Sequence, residues 1–298
     1  MNESNWRQSV EARVRDERSA TSDSFARYRP VIVSAKDIAA VELCRERLEV
    51  NSLERIQNEI FLLGLGESED RLATKIGGIP ALPAHRTWPI SDGEPMTFLA
   101  QFNFNESMSI VPYAPADLLL VFMPAFLDLG CPDILHFEWI RLADAAVLSK
   151  EFHPPSFELL TAFGVGYRSW DLVESEVEWH NLLAKLPHRE SLRTYEFWSG
   201  IFRLPGLKIG GLPYRARPAL GTDKGPGPGR YLCGFSTVHP VIGEPWPWLN
   251  REEPYLDSEC SYGILNDSAL YLNSYGGFSL QFFLSPDGAV RHTFEAII

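Results

Sequence analysis

Lys75-Ile76-Gly77-Gly78-Ile79-Pro80 recurs as Lys208-Ile209-Gly210-Gly211-Leu212-Pro213, an offset of 133 residues (75 to 208). At the same offset, without a gap, Phe98-Leu99-Ala100-Gln101-Phe102 falls on Tyr231-Leu232-Cys233-Gly234-Phe235. Further on, after an insertion, Asp117-Leu118-Leu119-Leu120-Val121-Phe122 resembles Gly277-Phe278-Ser279-Leu280-Gln281-Phe282. Three blocks in one order read as an internal duplication, and two copies are too few for a solenoid. Each Gly-Gly supplies positive φ or close backbone approach, and the following proline stops a helix, so the motif reads as a turn. Its amides, with Lys75 or Lys208, could also hold an anion.

Short apolar runs flank these turns. Phe98–Phe102, Leu118–Met123, Ile134–Ile140, Tyr231–Phe235, Ala269–Leu272 and Phe278–Leu284 read as strands. Upstream the texture is different. Trp6, Val10 and Val14 recur at helical spacing, as do Ile38, Val41, Arg45 and Leu48. Leu53, Ile56, Ile60 and Leu63 continue that spacing behind an Asn51 cap, with Glu54 as capping-box partner. Leu172, Val173, Val177, Leu183 and Leu186 give a further apolar stripe before Pro187. The expected fold is therefore α+β and internally duplicated. Two β-rich antiparallel halves pack about a pseudo-twofold axis, with an N-terminal helical region over 1–70 and a helical insert near 171–199. The duplicated domain spans 71–298, with copies at about 71–150 and 204–298 and a linker at about 151–203.

Twenty-seven basic and 39 acidic residues give a formal net charge of −12. That balance opposes nonspecific nucleic-acid binding, which needs basic surface, and favours a basic protein partner through long-range steering. The chain carries no apolar run of membrane-spanning length, and its first twenty residues are charged throughout, so no membrane partner is expected. Cys44, Cys131, Cys233 and Cys260 form no CxxC pair, which reads as reduced thiols in a cytoplasmic protein.

Catalytic motifs are missing. No G-x-S-x-G elbow, phosphate-binding loop or G-x-G-x-x-G is present, and the prolines of Gly225-Pro-Gly-Pro-Gly229 remove the amides a phosphate cradle needs. Glu176 and His180 could share a metal at helical spacing, although an exposed polar pair is the commoner meaning of that pattern. Cys44 and Cys233 could act as nucleophiles if a histidine approached, but Cys233 sits in an apolar strand and reads as an inert buried thiol. No cofactor or metal is expected.

Lys75-Ile-Gly-Gly-Ile-Pro-Ala-Leu-Pro83, Trp88-Pro89 and Gly93-Glu-Pro-Met-Thr-Phe-Leu-Ala-Gln101 together resemble the signature of the YwqG-like family, whose function is uncharacterised. The resemblance implies an α+β fold with large antiparallel sheets. Some relatives lie near bacterial toxin systems, which points to an immunity-type role. The second half departs from the family pattern. Gly234 stands where a strand glutamine is expected, and Asn273-Ser-Tyr-Gly-Gly277 replaces a W-G-D-x-G block, while Phe282-Phe283 keeps the aromatic pair.

These readings combine into a noncatalytic binding or interaction protein. Its candidate site lies between the copies, at Lys75, Gln101 and Lys208, with the basic Arg215 and Arg217 and the Trp246-Pro247-Trp248 loop beside it. One expectation is immunity-like binding of a basic protein. The alternative is an enzyme or sensor for a small anionic ligand bound near the basic 203–230 segment.

Overall fold

The computed structural model describes residues 45, 50, 53–65, 68–124, 135–144, 162–173, 202–204, 206–214, 229–236 and 278–296. Twelve strands are found among them. A two-strand hairpin pairs β3 (Ile90–Ser91) with β4 (Glu94–Pro95), turning through Asp92 and Gly93 at positive φ. The other ten form one antiparallel sheet. In chain order they are β1 (Arg55–Leu65), β2 (Lys75–Ile76), β5 (Thr97–Asn103), β6 (Leu118–Met123), β7 (His136–Ile140), β8 (Ala162–Leu172), β9 (Gly206–Gly210), β10 (Arg230–Ser236), β11 (Phe278–Leu284) and β12 (Val290–Ala296). Across the sheet the order is β12-β11-β10-β9-β1-β8-β2-β5-β6-β7.

The α+β expectation is thereby corrected: among the described residues nearly all of the regular secondary structure is strand. Where the sequence predicts a third helix, at Leu53–Leu63, the chain forms β1. Helical spacing misleads there because β1 runs between β8 and β9, and Asn58, Glu59, Ile60 and Phe61 are all buried in succession. A strand covered on both faces loses its period of two. The proposed insert at 171–199 opens as the end of β8. Its remainder, the Trp6–Val14 stripe, almost all of the Ile38–Leu48 stripe and the Ala269–Leu272 strand lie outside the described residues.

The repeat is written into the pairing. Lys75 faces Gln101 and Lys208 faces Gly234; Ile76 faces Ala100 and Ile209 faces Cys233. Each copy carries a bulge at the same place, the extra residue being Leu99 in β5 and Leu232 in β10. Because the bulge turns two consecutive residues inward, Leu99 and Ala100 join the same core as Leu232 and Cys233. Beyond the bulge the registers place Gln281, rather than Leu280, as the counterpart of Leu120, since Leu120 faces Gln101 and Gln281 faces Gly234. The third repeat block thus aligns one residue away from its apparent sequence match.

The first strands of the two copies are exchanged. β1 pairs with β9 of the second copy, and β8 pairs with β2 of the first. Ile60 faces Lys208 as Phe163 faces Lys75, so Ile60 and Phe163 are equivalent, and the Leu62–Val165 pair of the β1–β8 ladder lies on the pseudo-twofold axis.

The two arms of the sheet bend toward one another over a shared core that includes Phe61, Phe102, Leu119, Val121, Phe235 and Phe282. Phe137 on edge strand β7 packs edge-on to Phe282 at 5.6 Å and lies 6.0 Å from His292 on the opposite edge strand. Tyr113 Oη donates to the carbonyl of Tyr231 at 2.5 Å, tying the β5–β6 loop to the other arm. On the outer face of the first arm a second apolar layer forms from Phe98, Leu118, Leu120 and Phe122 beneath Trp88, whose indole N–H donates to Met96 O at 2.7 Å.

Candidate functional site

Lys75, Gln101 and Lys208 all lie on the outer face, and all three are buried. Lys75 Nζ donates to the carbonyl of Ile79 at 2.5 Å, and Lys208 Nζ makes the equivalent bond to Leu212 at 2.7 Å. Each ammonium closes its own Gly-Gly loop. The two lysines stand three strand spacings apart, about 14 Å across the sheet, with further displacement along it, so the fold does not bring them into one site. Gln101 is equally committed. Its Oε1 accepts from Ala81 N at 2.8 Å, and its Nε2 donates to the carbonyls of Arg71 and Ala73, both at 2.9 Å. Gln101→Leu leaves those backbone groups unmatched, and urea denaturation is expected to show a loss of about 1–3 kcal/mol. Arg215, Arg217, Trp246 and Trp248 lie outside the described residues, as do Glu176, His180 and Cys44.

In the second copy Gly234 cannot make Gln101's bonds, and a residue from β8 does equivalent work. Asp171 is fully buried; its Oδ1 accepts from Leu204 N at 2.9 Å, and its Oδ2 accepts from Leu212 N and Lys208 Nζ, both at 2.8 Å. Burial pushes the Lys208 ammonium below its ordinary 10.5, with the Asp171 charge and hydrogen bond opposing that shift. Gly211 lies directly against this carboxylate at φ +75°, and a Cβ there would overlap Asp171 Oδ2 and crowd Asn58 Cβ. Gly93 has a similar φ of +85° with nothing within 4 Å. Gly93→Ala is therefore expected to cost only the left-handed backbone penalty, about 1–2 kcal/mol. Gly211→Ala must cost clearly more, and thermal unfolding of the two variants checks the difference.

Moving the tie from β10 to β8 changes what covers the outer face. Counterpart by counterpart, Phe98 becomes Tyr231, Leu118 becomes Ser279, Leu120 becomes Gln281 and Gln101 becomes Gly234. Apolar positions in the first arm are polar in the second, yet they stay buried: Gln281 is 3 % and Tyr231 8 % exposed. A row runs across four strands here, Ile60–Lys208–Gly234–Gln281. The Gln281 carboxamide leans over Gly234, where a Cβ would lie 2.6 Å from its Oε1. Its Nε2 donates to Ser279 Oγ at 2.6 Å, and Ser279 Oγ donates to Tyr214 O at 3.3 Å. Asn58, on the neighbouring row, faces Gly210 and packs on Gly211 beside Asp171.

Three of these side chains hold buried polar atoms without a hydrogen-bond partner: both amide atoms of Asn58, the Tyr231 hydroxyl and Gln281 Oε1. Burial, with the nearby Cys233 and Asp171, raises Tyr231 well above its ordinary 10, so its hydroxyl keeps the proton and can donate. Cys233 faces the inner core, and burial pushes its thiol well above the usual value, which makes it a poor nucleophile. Among the described residues no group of three His, Cys, Asp or Glu side chains is placed to hold a metal ion. Nor does any helix among them have the length and apolarity to cross a membrane.

Pairing and burial together define a strand-built protein of two repeated arms, with an apolar outer layer on one and a cluster of buried polar side chains on the other. A family model described as Domain of unknown function (DUF1963) matches residues 74–131, the part of the first arm from β2 to beyond β6. No curated protein matches the chain.

Proposed function

We propose that this is a noncatalytic binding protein whose first arm is structural and whose second arm holds the ligand. The observation that carries the reading is the exchange of Phe98, Leu120 and Gln101 for Tyr231, Gln281 and Gly234 at equivalent positions, leaving polar atoms buried without partners. An unpaired buried polar group costs free energy, so its retention is accounted for by something that binds it. The likeness of residues 75–103 to the YwqG-like signature falls inside the stretch that the family model matches, and supports a common scaffold for this first arm. In this reading the repeated domain opens at β1, ahead of residue 71, because β1 supplies part of the second arm's ladder. The test is retention of a small molecule. Wild-type protein passed through gel filtration from a metabolite extract should carry a mass absent from Tyr231→Phe/Gln281→Leu. Equal retention by both proteins removes Tyr231 and Gln281 from consideration.

The net charge of −12 supports a second reading, in which acidic surface binds a basic protein in an immunity-like way. Such a complex should form with a basic partner at low salt and dissociate as salt rises. Failure of every member of a basic-protein panel to bind at low salt rules it out.

A further inference from the structure

Away from the buried polar cluster, the sheet ends on the first arm at β7, which has no strand on its outer side among the described residues. Phe104 N donates to Asp117 O at 2.7 Å, which turns the backbone groups of Asp117 toward β5. By the alternation of an antiparallel ladder, those of Leu118, Leu120 and Phe122 then point to β7, and those of their partners Ile140, Glu138 and His136 point back to β6. The N–H and C=O groups of Phe137 and Trp139 therefore point out of the sheet edge. Phe137 packs on Phe282 at 5.6 Å and lies 6.0 Å from His292, so the second arm covers the inner face of β7 and not this edge.

A bare edge templates another strand unless a proline, a bulge or a misplaced charge guards it. β7 has no proline, and its register with β6 runs through five pairs without a bulge. Its side chains are self-complementary. His136 and Glu138 share the outer face with Nε2 and Oε1 3.0 Å apart, and Arg86 stands 3.9 Å from the same carboxylate. When a second β7 is set antiparallel about Phe137, His136 of each chain falls opposite Glu138 of the other. These are the non-hydrogen-bonded positions of the new ladder, where opposed side chains come closest and opposite charges stabilise. On the inner face Leu135, Phe137 and Trp139 are only partly buried, and Trp139, Phe137 and Leu135 of the copy extend their cover. The neighbouring register, centred on Glu138, sets two carboxylates against each other and is disfavoured.

We infer that β7 is a docking edge for a second copy of this chain, the two β7 strands pairing antiparallel about Phe137 so that one sheet runs through both molecules. The occupant is a like chain because His136 and Glu138 supply the complementary charge in both directions at once. The inference is independent of the binding reading above and gives the structural arm a task of its own.

The experiment is sedimentation of the full chain over a concentration series, with wild type beside His136→Glu, Glu138→Lys and the double variant His136→Glu/Glu138→Lys. The side chains of His136 and Glu138 are 43 % and 22 % exposed, so the fold should tolerate all three. Wild type is expected to reach the mass of two chains. Each single variant should associate at least about tenfold more weakly, since two pairs become like-charged together. The double variant exchanges the two charges and should recover. Wild type at the mass of one chain throughout overturns the inference and leaves the edge to a chain of another kind. Association that neither single variant weakens overturns the assignment to β7. Weakening in both single variants without recovery in the double variant overturns the pairing about Phe137.

Discussion

Asp171→Ala should be the most damaging single substitution among the described residues, lowering stability by about 3–5 kcal/mol, which corresponds to a fall of about ten degrees in Tm. Removing the carboxylate leaves Lys208 buried at 1 % exposure without its counter-charge, and takes the acceptor from Leu204 N and Leu212 N together. The charge component can be separated from the backbone component. Asp171→Ala/Lys208→Met removes both charges but still lacks the acceptor, so it should recover part of the loss, with the remainder belonging to the two amides. Urea denaturation of the two variants against wild type measures both parts. An Asp171→Ala protein as stable as wild type would show that the second arm's loop is held by something other than this carboxylate.

The second large effect has the opposite sign. Tyr231→Phe/Gln281→Leu should make the ligand-free protein more stable by about 2 kcal/mol, because it replaces two unmatched buried polar groups with apolar ones. Phe at 231 keeps the edge-on contact with Phe283, and Ser279 keeps its bond to Tyr214 O. A gain in stability coupled to a loss of binding is the pattern of a site maintained at the expense of the fold.

Much of the strand content was legible in the sequence. The Lys-Ile-Gly-Gly repeats, the ungapped match of β5 to β10 and the apolar runs of β6 and β11 all correspond to paired strands with matching registers. The centre of the sheet was not legible. The segment that becomes β1 reads as Leu53, Ile56, Ile60 and Leu63 at helical spacing behind an Asn51 cap, and only the enclosure of β1 between β8 and β9 makes a strand the better solution. β8 hides for another reason. Phe163, Val165 and Tyr167 alternate with two glycines and Arg168, but Ser169 and Asp171 continue the same face in polar residues, so the alternation stops halfway along the strand.

The candidate site was half visible. Gly234 stands out from the sequence as the missing glutamine, but the displaced carboxamide of Gln281 does not, because the apparent alignment of the third repeat block is one residue out. A bulge in each copy sets the true register, and bulges leave no reliable trace in a short apolar run. Lys75, Lys208 and Gln101 attract attention as polar residues within conspicuous motifs, yet each is bonded to its own chain. Asn58 gave no signal at all, lying in a segment that reads as helix.

The most direct test of the division between a structural arm and a binding arm is a comparison of thermal stability between wild type and Tyr231→Phe/Gln281→Leu, both freed of small molecules by refolding. A higher Tm for the variant by a few degrees is predicted, since no unmatched buried polar atoms then remain at those two positions. An unchanged or lower Tm would mean that the hydroxyl and the carboxamide are already satisfied within the folded protein, and that the second arm is as structural as the first.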